Sequence, residues 1–303
     1  MAKSEEVDTS AHTAGRSADR RAGWDQWSFE DAAAWIRRPI STDDKYSRGV
    51  LGVQTGSELY PGAAVLGVEA AMRTGVGMVR YLGPTRPTDL VLARRPETVT
   101  APGRVQAWLL GSGMDAAHRP AQTTRSLEAA LAEGVPCVVD AGALDLVGQL
   151  NASVLLHPLV VTPHYRELAA MLTLRGVTVT ADEIAASPGE WAVQASASLN
   201  VTVLLKGAAT YIASPGGARL SVSIGTPWLA TAGTGDVLGG MLGALVATHA
   251  ELIRTDVDVL APLAATAALL HALAATRASG GGPIAALDVA EALPSVIASL
   301  LAG

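Results

Sequence analysis

The sequence predicts an α/β fold in which helices cover both faces of a mostly parallel sheet. Along the 303-residue chain, short apolar runs rich in β-branched residues alternate with longer segments rich in Ala and Leu. This alternation is typical of βαβ units, whose strands are parallel and buried on both faces. No linker interrupts the pattern, so we expect one domain over residues 25–303. A polar segment of mixed charge, residues 1–24, is predicted to be a disordered tail.

The elements follow from the period of the apolar residues and from the turn residues between them. The predicted strands are Val50–Gln54, Gly77–Leu82, Val105–Leu110, Pro136–Asp140, Leu159–Thr162 and Val201–Leu205. The predicted helices are Gly62–Thr74, Arg119–Glu133, Tyr165–Leu172, Gly189–Leu199, Gly235–Thr248, Val257–Ala275 and Ala286–Leu301. Two further runs, Tyr211–Ala213 and Arg219–Ser223, flank the turn residues SPGGA and predict a hairpin near the end of the sheet.

Composition excludes several classes of protein. The chain is 49% hydrophobic with a net charge of −6, and it has no basic run of the kind that binds nucleic acid. The single cysteine, Cys137, excludes an intramolecular disulfide and a cysteine-based zinc cluster, and it suits a reducing cytosol. The apolar stretches 237–248 and 259–275 are shorter than the roughly 20 residues that span a bilayer. We therefore expect a cytoplasmic protein whose apolar helices are core helices rather than membrane spans.

Candidate binding residues follow the strands, because ligands bind beyond the carboxyl ends of strands in open α/β sheets. After the first of these strands, Pro61 and the small residues 62–64, which include Ala63, suit a helix N-terminus that a flat ligand can approach. Gly113 belongs to a GSG turn that allows close approach of a ligand to the backbone. Both patterns also occur in ordinary turns.

Two charged positions at strand ends invite a specific explanation. His164 and Glu167 follow a strand and Pro163, where His164 could contact a ligand or could simply cap the next helix. Only three of the 22 basic residues are lysines, and Lys206 directly follows the apolar run VTVLL. A buried ammonium needs an anionic partner. The sequence favours a nucleotide phosphate beside Gly207, and an ion pair with Asp or Glu is the alternative.

The strongest signal is the segment Gly233-Thr234-Gly235-Asp236 before an apolar helix. Its backbone N–H groups at a helix N-terminus form an anion hole of favourable dipole sign. Asp236 beside that hole could accept a proton from a substrate hydroxyl as the oxygen attacks phosphorus. The alternative is a capped helix in which Asp236 only satisfies backbone donors.

Seven motifs in order resemble the ADP-dependent NAD(P)H-hydrate dehydratase family of the ribokinase-like superfamily. From about Lys45 onwards they are KYSRGVLGVQTGS, PGAAVLGVEAAMRTGVGMVRYL, GSG, VVDAGAL, TPHYRE, KGAAT and ATAGTGDVLGG. The resemblance implies a ribokinase-like three-layer α/β/α fold. It also implies an enzyme that phosphorylates the S-epimer of NADH hydrate or NADPH hydrate with ADP and eliminates phosphate, restoring the reduced dinucleotide with release of AMP.

The resemblance assigns roles to individual residues. Asp236 would be the base, and the amides of Gly233, Thr234 and Gly235 would hold the transferring phosphate. Residues implied to contact the hydrate are Ala63, Gly113, His164 and Asp236. Residues implied to contact ADP or AMP are Lys206, Gly207, Ala208, Ala209, Thr210 and Gly235. Mg²⁺ would bridge phosphate oxygens mostly through water, so no dedicated metal cluster is expected. ATP is a possible alternative donor.

The chain departs from the family pattern at two places. TPHYRE stands where the family usually has TPHPGE, and VVDAGALD stands where many relatives have DADALN. Only about 44 residues precede Lys45, so we expect epimerisation to come from a separate NAD(P)H-hydrate epimerase. A homo-oligomer, such as a tetramer, is implied by relatives, and the apolar helices at 257–301 could supply its interface.

Two other functions use the same motifs. One is a ribokinase-like kinase of a small vitamin-precursor alcohol of the thiazole or pyrimidine type, which would use the same Asp236. The other is a non-catalytic nucleotide-binding module, to which the altered HYRE turn lends some support. The presence of both Asp236 and the glycine-rich anion hole favours an enzyme.

Overall fold

A single sheet organises the part of the chain that the computed structural model describes, residues 23–149 and 158–302. Its strands are β1 (Asp25–Gln26), β2 (Val50–Gln54), β3 (Met78–Tyr81), β4 (Ala107–Leu110), β5 (Cys137–Val139), β6 (Leu159–Val161), β7 (Thr202–Leu205), β8 (Thr210–Ala213) and β9 (Arg219–Val222). The order across the sheet is β1-β9-β8-β7-β6-β5-β4-β2-β3. Strand β8 is antiparallel to both of its neighbours, and the other pairs are parallel. The mostly parallel sheet is therefore confirmed.

Helices cover both faces of this sheet. They are α1 (Phe29–Ala34), α2 (Gly62–Thr74), α3 (Thr85–Arg94), α4 (Ala121–Leu131), α5 (Leu144–Gln149), α6 (Tyr165–Thr173), α7 (Ala181–Ala186), α8 (Pro188–Leu199), α9 (Thr234–Thr248), α10 (Ala250–Thr255), α11 (Leu260–Ser279) and α12 (Ala286–Ala302). One apolar cluster joins the sheet to α2, α9, α11 and α12, and a second joins it to α4, α5, α6, α7 and α8. The three-layer α/β/α architecture is confirmed.

The strands are apolar on both faces because both faces are covered. In β4, Leu109 belongs to the first cluster, whereas its neighbours Trp108 and Leu110 belong to the second. Successive side chains of a strand point to opposite faces, so this alternation places β4 in the middle of the core. Every described residue of β4 is buried.

Each predicted strand and helix is present, with boundaries that shift by a few residues. The predicted hairpin is confirmed, since β8 and β9 pair antiparallel. Six elements were not predicted, namely β1, α1, α3, α5, α7 and α10. Most of them are short, and α3 carries Pro87 among polar residues, so their apolar periodicity is weak.

Helix α11 differs most from its prediction. It begins after a 3-10 turn, Val257–Val259, and continues to Ser279, so the expectation that it is too short to span a bilayer is wrong. By length and composition Val257–Ser279 could cross a membrane, but 78% of its apolar window is buried inside the chain. This burial confirms α11 as a core helix. Much of the surface of α11 is covered by the chain itself, and the expected subunit interface at 257–301 stays a prediction.

The chain enters the fold before residue 25. Residues 1–22 of the predicted tail lie outside the described residues. The Trp24 ring packs edge-on against Tyr211 with a centroid distance of 4.9 Å, and it lies against Gly189 at the start of α8. Trp24 therefore belongs with the fold rather than with the tail.

Candidate functional site

The predicted site residues meet at one edge of the sheet. Strands β2, β4, β5, β6 and β7 run parallel and end at this edge, which is where ligands bind in open α/β sheets. The ends of β6 and β7 are also tied together beyond the sheet. The Lys206 amide donates to the Pro163 carbonyl at 2.9 Å, and His164 pairs with Lys206 in an isolated bridge. The histidine and lysine motifs are therefore adjacent.

Ala63 and Gly113 lie in contact at one end of this edge. A Cβ on Gly113 would overlap the Cβ of Ala63 and lie 3.0 Å from the Tyr60 carbonyl oxygen. Gly113 has a φ of +68°, a conformation that favours glycine. The Gly56 amide donates to the Ser112 carbonyl at 2.7 Å, which holds the two turns side by side. The structure thus brings together the predicted residues of the first two motifs on a floor of backbone and small side chains.

A carboxylate that the sequence did not single out lies at the centre of the edge. Asp140 follows β5 and is only 3% exposed. Its Oδ1 accepts hydrogen bonds from the Lys206 ammonium and the Thr162 hydroxyl, both at 2.8 Å. Its Oδ2 accepts one from the Ser112 hydroxyl at 3.1 Å. The sequence signal that could have identified Asp140 is a charged residue directly after the apolar run CVV.

The partner of Lys206 is a carboxylate of the protein. Besides the bond to Asp140, the Lys206 ammonium lies 3.8 Å from Oε2 of Glu167. Burial alone would lower the pKa of Lys206, but the charges of Asp140, Glu167 and Asp236 outweigh it and leave this pKa raised. An ion pair, the alternative that the sequence left open, therefore accounts for the buried lysine without a phosphate. A phosphate could still approach Lys206, whose side chain is 22% exposed.

The segment predicted to form an anion hole begins helix α9. Gly233 precedes α9 with a φ of +90°, and within the described residues no side chain caps this helix. The Thr234 hydroxyl is occupied, because it donates to the carbonyls of Leu229 and Thr231 at 3.1 and 3.0 Å. The first-turn amides of α9 are thereby left for an anion. A Cβ on Gly235 would lie 3.7 Å from the Lys206 ammonium, so the lysine faces this helix end.

Asp236 lies in the first turn of α9 beside the anion hole. Its partial burial, reinforced by the negative charge of Asp140 and opposed by Lys206, raises the pKa of Asp236 to about 7. A carboxylate with a pKa near neutrality is a stronger base than an ordinary aspartate and can still be ionised at physiological pH. The geometry therefore suits Asp236 to accept a proton from a hydroxyl group placed next to the anion hole.

His164 has a structural role that the sequence left open as an alternative. It caps α6: its Nδ1 accepts from the Glu167 amide at 3.2 Å, and the Glu167 carboxylate accepts from the His164 amide at 2.8 Å. Because Nδ1 is the acceptor, the neutral ring carries its proton on Nε2. The side chain is 52% exposed, so Nε2 remains accessible to a ligand at this edge.

The predicted nucleotide segment forms the turn between β7 and β8. Lys206 follows the last residue of β7, and Thr210 is the first residue of β8. Gly207 and Ala208 are exposed, and Ala209 and Thr210 are half-buried. The segment is therefore open along its backbone while its lysine reaches inward to Asp140.

His271 is a half-buried residue beside the site that sequence reasoning missed. Burial lowers the pKa of His271 to about 4, although a hydrogen bond from its ring to the backbone of Thr234 acts in the opposite direction. Its Nε2 has no hydrogen-bond partner among the described residues. The ring is therefore neutral and supports the segment that forms the anion hole. The signal available in the sequence was a histidine within the Ala- and Leu-rich run of α11.

No metal-ligating cluster is evident in the described ranges, where no set of three or more His, Cys, Asp or Glu side chains is arranged to hold a metal ion. A cavity of about 800 Å³ lies at the opposite edge of the sheet, lined by residues such as Gln106, Pro136, Leu159 and Thr202. None of the predicted site residues lines this cavity.

This chain is similar to known proteins both in sequence and in fold. Residues 51–294 match the profile of a family described as NAD(P)H-hydrate dehydratase. The bifunctional NAD(P)H-hydrate repair enzyme Nnr of Mycobacterium leprae is 43% identical over 229 residues, which is 72% of this chain and 45% of that protein. The enzyme of the same name from Corynebacterium glutamicum is 36% identical over 86% of this chain and 49% of its own length. The chain thus spans about half the length of these relatives.

Two solved structures illustrate the fold. The ADP/ATP-dependent NAD(P)H-hydrate dehydratase of Bacillus subtilis, co-crystallised with ATP and Mg²⁺, has a TM-score of 0.79 and 24% identity and covers 90% of this chain and 98% of its own. A hydroxyethylthiazole kinase from Pyrococcus horikoshii has a TM-score of 0.60 and 17% identity and covers 89% and 96% respectively. At these identities the likeness shows a shared ribokinase-like fold.

Proposed function

The chain belongs to the NAD(P)H-hydrate dehydratase family, and we propose that it restores NADH and NADPH from the S-epimers of their hydrates at the expense of ADP. The observation that carries this proposal is the placement of Asp236. This carboxylate, with a pKa near 7, lies beside an uncapped helix N-terminus and within the field of a buried lysine. A base, an anion hole and a cation are the groups that phosphoryl transfer to a hydroxyl requires.

The reaction has two steps. Asp236 accepts the proton of the hydroxyl group on the hydrated nicotinamide ring as that oxygen attacks the β-phosphorus of ADP. The bond from this phosphorus to the oxygen of AMP breaks, and AMP leaves with the bonding electrons. The phosphate ester then eliminates: phosphate leaves with the electrons of the C–O bond, and a neighbouring ring carbon gives up a proton to water, so that its C–H electrons form the double bond. Phosphorylation makes sense because hydroxide is a poor leaving group and phosphate is a good one.

The remaining residues position the two substrates. The contact between Ala63 and Gly113 provides a small-residue floor against which a flat ring can lie, and the exposed Nε2 of His164 can bond a polar group of the hydrate. Lys206, Gly207, Ala208, Ala209 and Thr210, together with Gly235, would contact the adenine nucleotide. Asp140 would be a positioning residue, because it holds the ammonium of Lys206 and touches no substrate in this proposal.

The residues at this edge also fit a nucleotide-bound magnesium ion. Mg²⁺ prefers oxygen ligands, keeps several waters and needs only one or two carboxylates beside substrate phosphates. Glu167 carries a carboxylate near the Lys206 ammonium and could hold such an ion together with the nucleotide, which leaves Asp236 free to act as the base. When bound, Mg²⁺ neutralises charge on the transferring phosphate.

Three further expectations stay predictions. They are a separate NAD(P)H-hydrate epimerase as a functional partner, a homo-oligomeric state such as a tetramer, and a cytoplasmic location.

Product analysis tests the proposed reaction and separates it from the alternatives. The protein is incubated with NADPH hydrate, Mg²⁺ and either ADP or ATP, and the nucleotides and phosphate are resolved by chromatography. A dehydratase yields NADPH, free phosphate and AMP from ADP in equal amounts. A kinase of a vitamin-precursor alcohol leaves the hydrate unchanged and accumulates a phosphate ester when a thiazole or pyrimidine alcohol is supplied. Nucleotide binding without either product would identify a non-catalytic module.

A further inference from the structure

Tyr165 occupies a position where the sequence departs from the family pattern, and its ring lies on the Lys206–Thr210 turn. It is the first residue of α6, directly after the capping His164. A Cβ built on Gly207 would overlap the Tyr165 hydroxyl oxygen and lie 2.8 Å from the ring Cζ. The phenol therefore fills the space that any other residue at position 207 would need.

The backbone fixes this contact. The turn is bound to the segment before α6 by the Lys206-to-Pro163 hydrogen bond and by the pairing of His164 with Lys206. The Tyr165 ring is half-buried and packs with the second apolar cluster. The hydroxyl group consequently stays beside the backbone of Gly207 instead of moving freely in solvent.

The hydroxyl group is a donor without a partner inside the described part of the chain, where no hydrogen bond uses it. Burial, with a smaller contribution from Tyr211, raises the pKa of Tyr165, so the phenol keeps its proton. The backbone of Gly207 is exposed, so a ligand bound along it would lie close to this donor. An anionic oxygen is the partner that a phenolic O–H prefers.

We propose that Tyr165 is a nucleotide-binding residue whose hydroxyl group donates a hydrogen bond to an oxygen of the adenine nucleotide bound along Lys206–Thr210. The inference rests on the proposed use of ADP and adds a residue that the family pattern does not supply. It also explains why position 207 is a glycine: a residue without a side chain leaves room for both the phenol and the nucleotide.

The test compares Tyr165→Phe with the unaltered protein in calorimetric titrations with Mg²⁺ and ADP, and then with AMP. Tyr165→Phe keeps the ring and removes only the donor, so we expect binding of ADP to weaken about tenfold or more. Tyr211→Phe is the matched control: it removes the hydroxyl of a neighbouring tyrosine in β8 and should leave the affinity unchanged. Weakening for both nucleotides would place the contact on the AMP portion, and weakening for ADP alone would place it on the β-phosphate.

Affinity for both nucleotides within twofold of the unaltered protein would overturn the inference. Equal thermal midpoints for the variants would show that any loss of affinity is not a loss of folding. The proposed dehydration is judged separately, by measuring the formation of NADPH. A protein that binds ADP through Tyr165 but forms no NADPH would refute the dehydratase and leave this inference standing. Formation of NADPH by the unaltered protein, together with undiminished binding of ADP by Tyr165→Phe, would support the dehydratase and refute this inference.

Discussion

The Nζ of Lys206 lies 2.8 Å from Oδ1 of Asp140, although the two residues are 66 positions apart in the chain. Asp140 follows β5 and Lys206 follows β7, with β6 between them in the sheet. Thr162, which follows β6, donates to the same carboxylate oxygen. One buried carboxylate therefore connects the ends of three neighbouring strands and fixes the position of the cation at the site.

Replacing Asp140 should destabilise the protein and loosen its nucleotide site together. Asp140→Asn leaves the Lys206 ammonium without its close partner, and breaking a buried ion pair typically costs about 3 kcal/mol or more. We expect that loss in urea unfolding, together with weaker ADP binding. Asp145→Asn is a suitable control, since Asp145 pairs with Arg119 at 3.0 Å outside the Lys206 cluster. Equal affinity for ADP in Asp140→Asn would show that the pair has no part in nucleotide binding.

Turnover should depend on the ionisation of Asp236. Because a base must be deprotonated to act and the pKa of Asp236 is raised to about 7, the rate should rise as pH increases through about 7 and level off above it. In Asp140→Asn the removal of a neighbouring negative charge lowers the pKa of Asp236, so this limb should move to lower pH. A pH–rate profile of both proteins at saturating ADP checks the shift. Identical profiles would contradict the coupling between the two carboxylates.

The raised pKa of Asp236 also predicts a cost in stability. The folded protein favours the protonated carboxyl group. The contribution of Asp236 to the free energy of unfolding therefore falls as the pH rises from about 3.8, the pKa of the carboxyl group in the unfolded chain, through about 7, its pKa in the folded protein. Asp236→Asn carries no charge and should unfold at an equal or higher temperature than the unaltered protein at pH 8. Thermal scans at pH 5 and pH 8 would measure this, and the difference between the two proteins should be larger at pH 8.

Glu69 is a buried structural carboxylate whose contribution to stability should depend on pH in the acid range. It is fully buried in α2 and pairs with Arg73, Arg94 and Arg95. Burial raises its pKa, but the three guanidinium groups outweigh burial and hold the pKa of Glu69 at about 2. Its stabilisation is therefore present above about pH 4.5 and is lost as pH falls through about 2.

Glu69→Gln should lower the free energy of unfolding by about 3 to 5 kcal/mol at neutral pH, because it removes one partner of a buried charge network. Urea denaturation measures this difference. Glu97→Gln is the matched control, since Glu97 touches Arg95 but is 54% exposed, and it should change stability by less than about 1 kcal/mol. An equal effect of both substitutions would mean that the burial of Glu69 does not matter.

Helix α9 crosses α2 closely at Gly240, which lies against the backbone of Gly67. A Cβ on Gly240 would overlap the carbonyl oxygen of Gly67 and lie 3.0 Å from the Cβ of Ala70. Gly240→Ala should therefore cost about 1 to 3 kcal/mol through overpacking. Gly62→Ala in α2, where nothing lies within 4 Å of the added carbon, is the control and should be neutral or slightly stabilising. Equal stability of the two variants would contradict the close crossing.

Strong local patterns made most of the fold predictable from the sequence. β2 was predicted with its observed bounds because its apolar run VLGVQ lies between Gly49 and the turn residues TGS. α2 was bounded by Pro61 and by Gly75, the left-handed residue that ends it. β1 is two residues long, and its pairing with β9 joins distant parts of the chain. No local pattern predicts such a strand.

The site was predictable where a motif carries its own chemistry, and less so where chemistry depends on contacts across the chain. The glycines around Asp236 identify a helix N-terminus from local sequence alone. The partner of Lys206 depends on which strand ends lie side by side, so the sequence could not choose between a phosphate and Asp140. His271 approaches Thr234 only through the packing of α11 on α9, which no periodicity reveals.

The central claim is that Asp236 acts as the base of an ADP-dependent dehydration. Its most direct test is the near-ultraviolet absorbance of reduced nicotinamide, followed in parallel for the unaltered protein and Asp236→Asn with NADPH hydrate, Mg²⁺ and ADP. The account predicts a rise in absorbance that requires ADP and the unaltered protein, and little or none with Asp236→Asn, which should still bind ADP. Equal rates in the two proteins, or no rise with an unaltered protein that binds ADP, would contradict it.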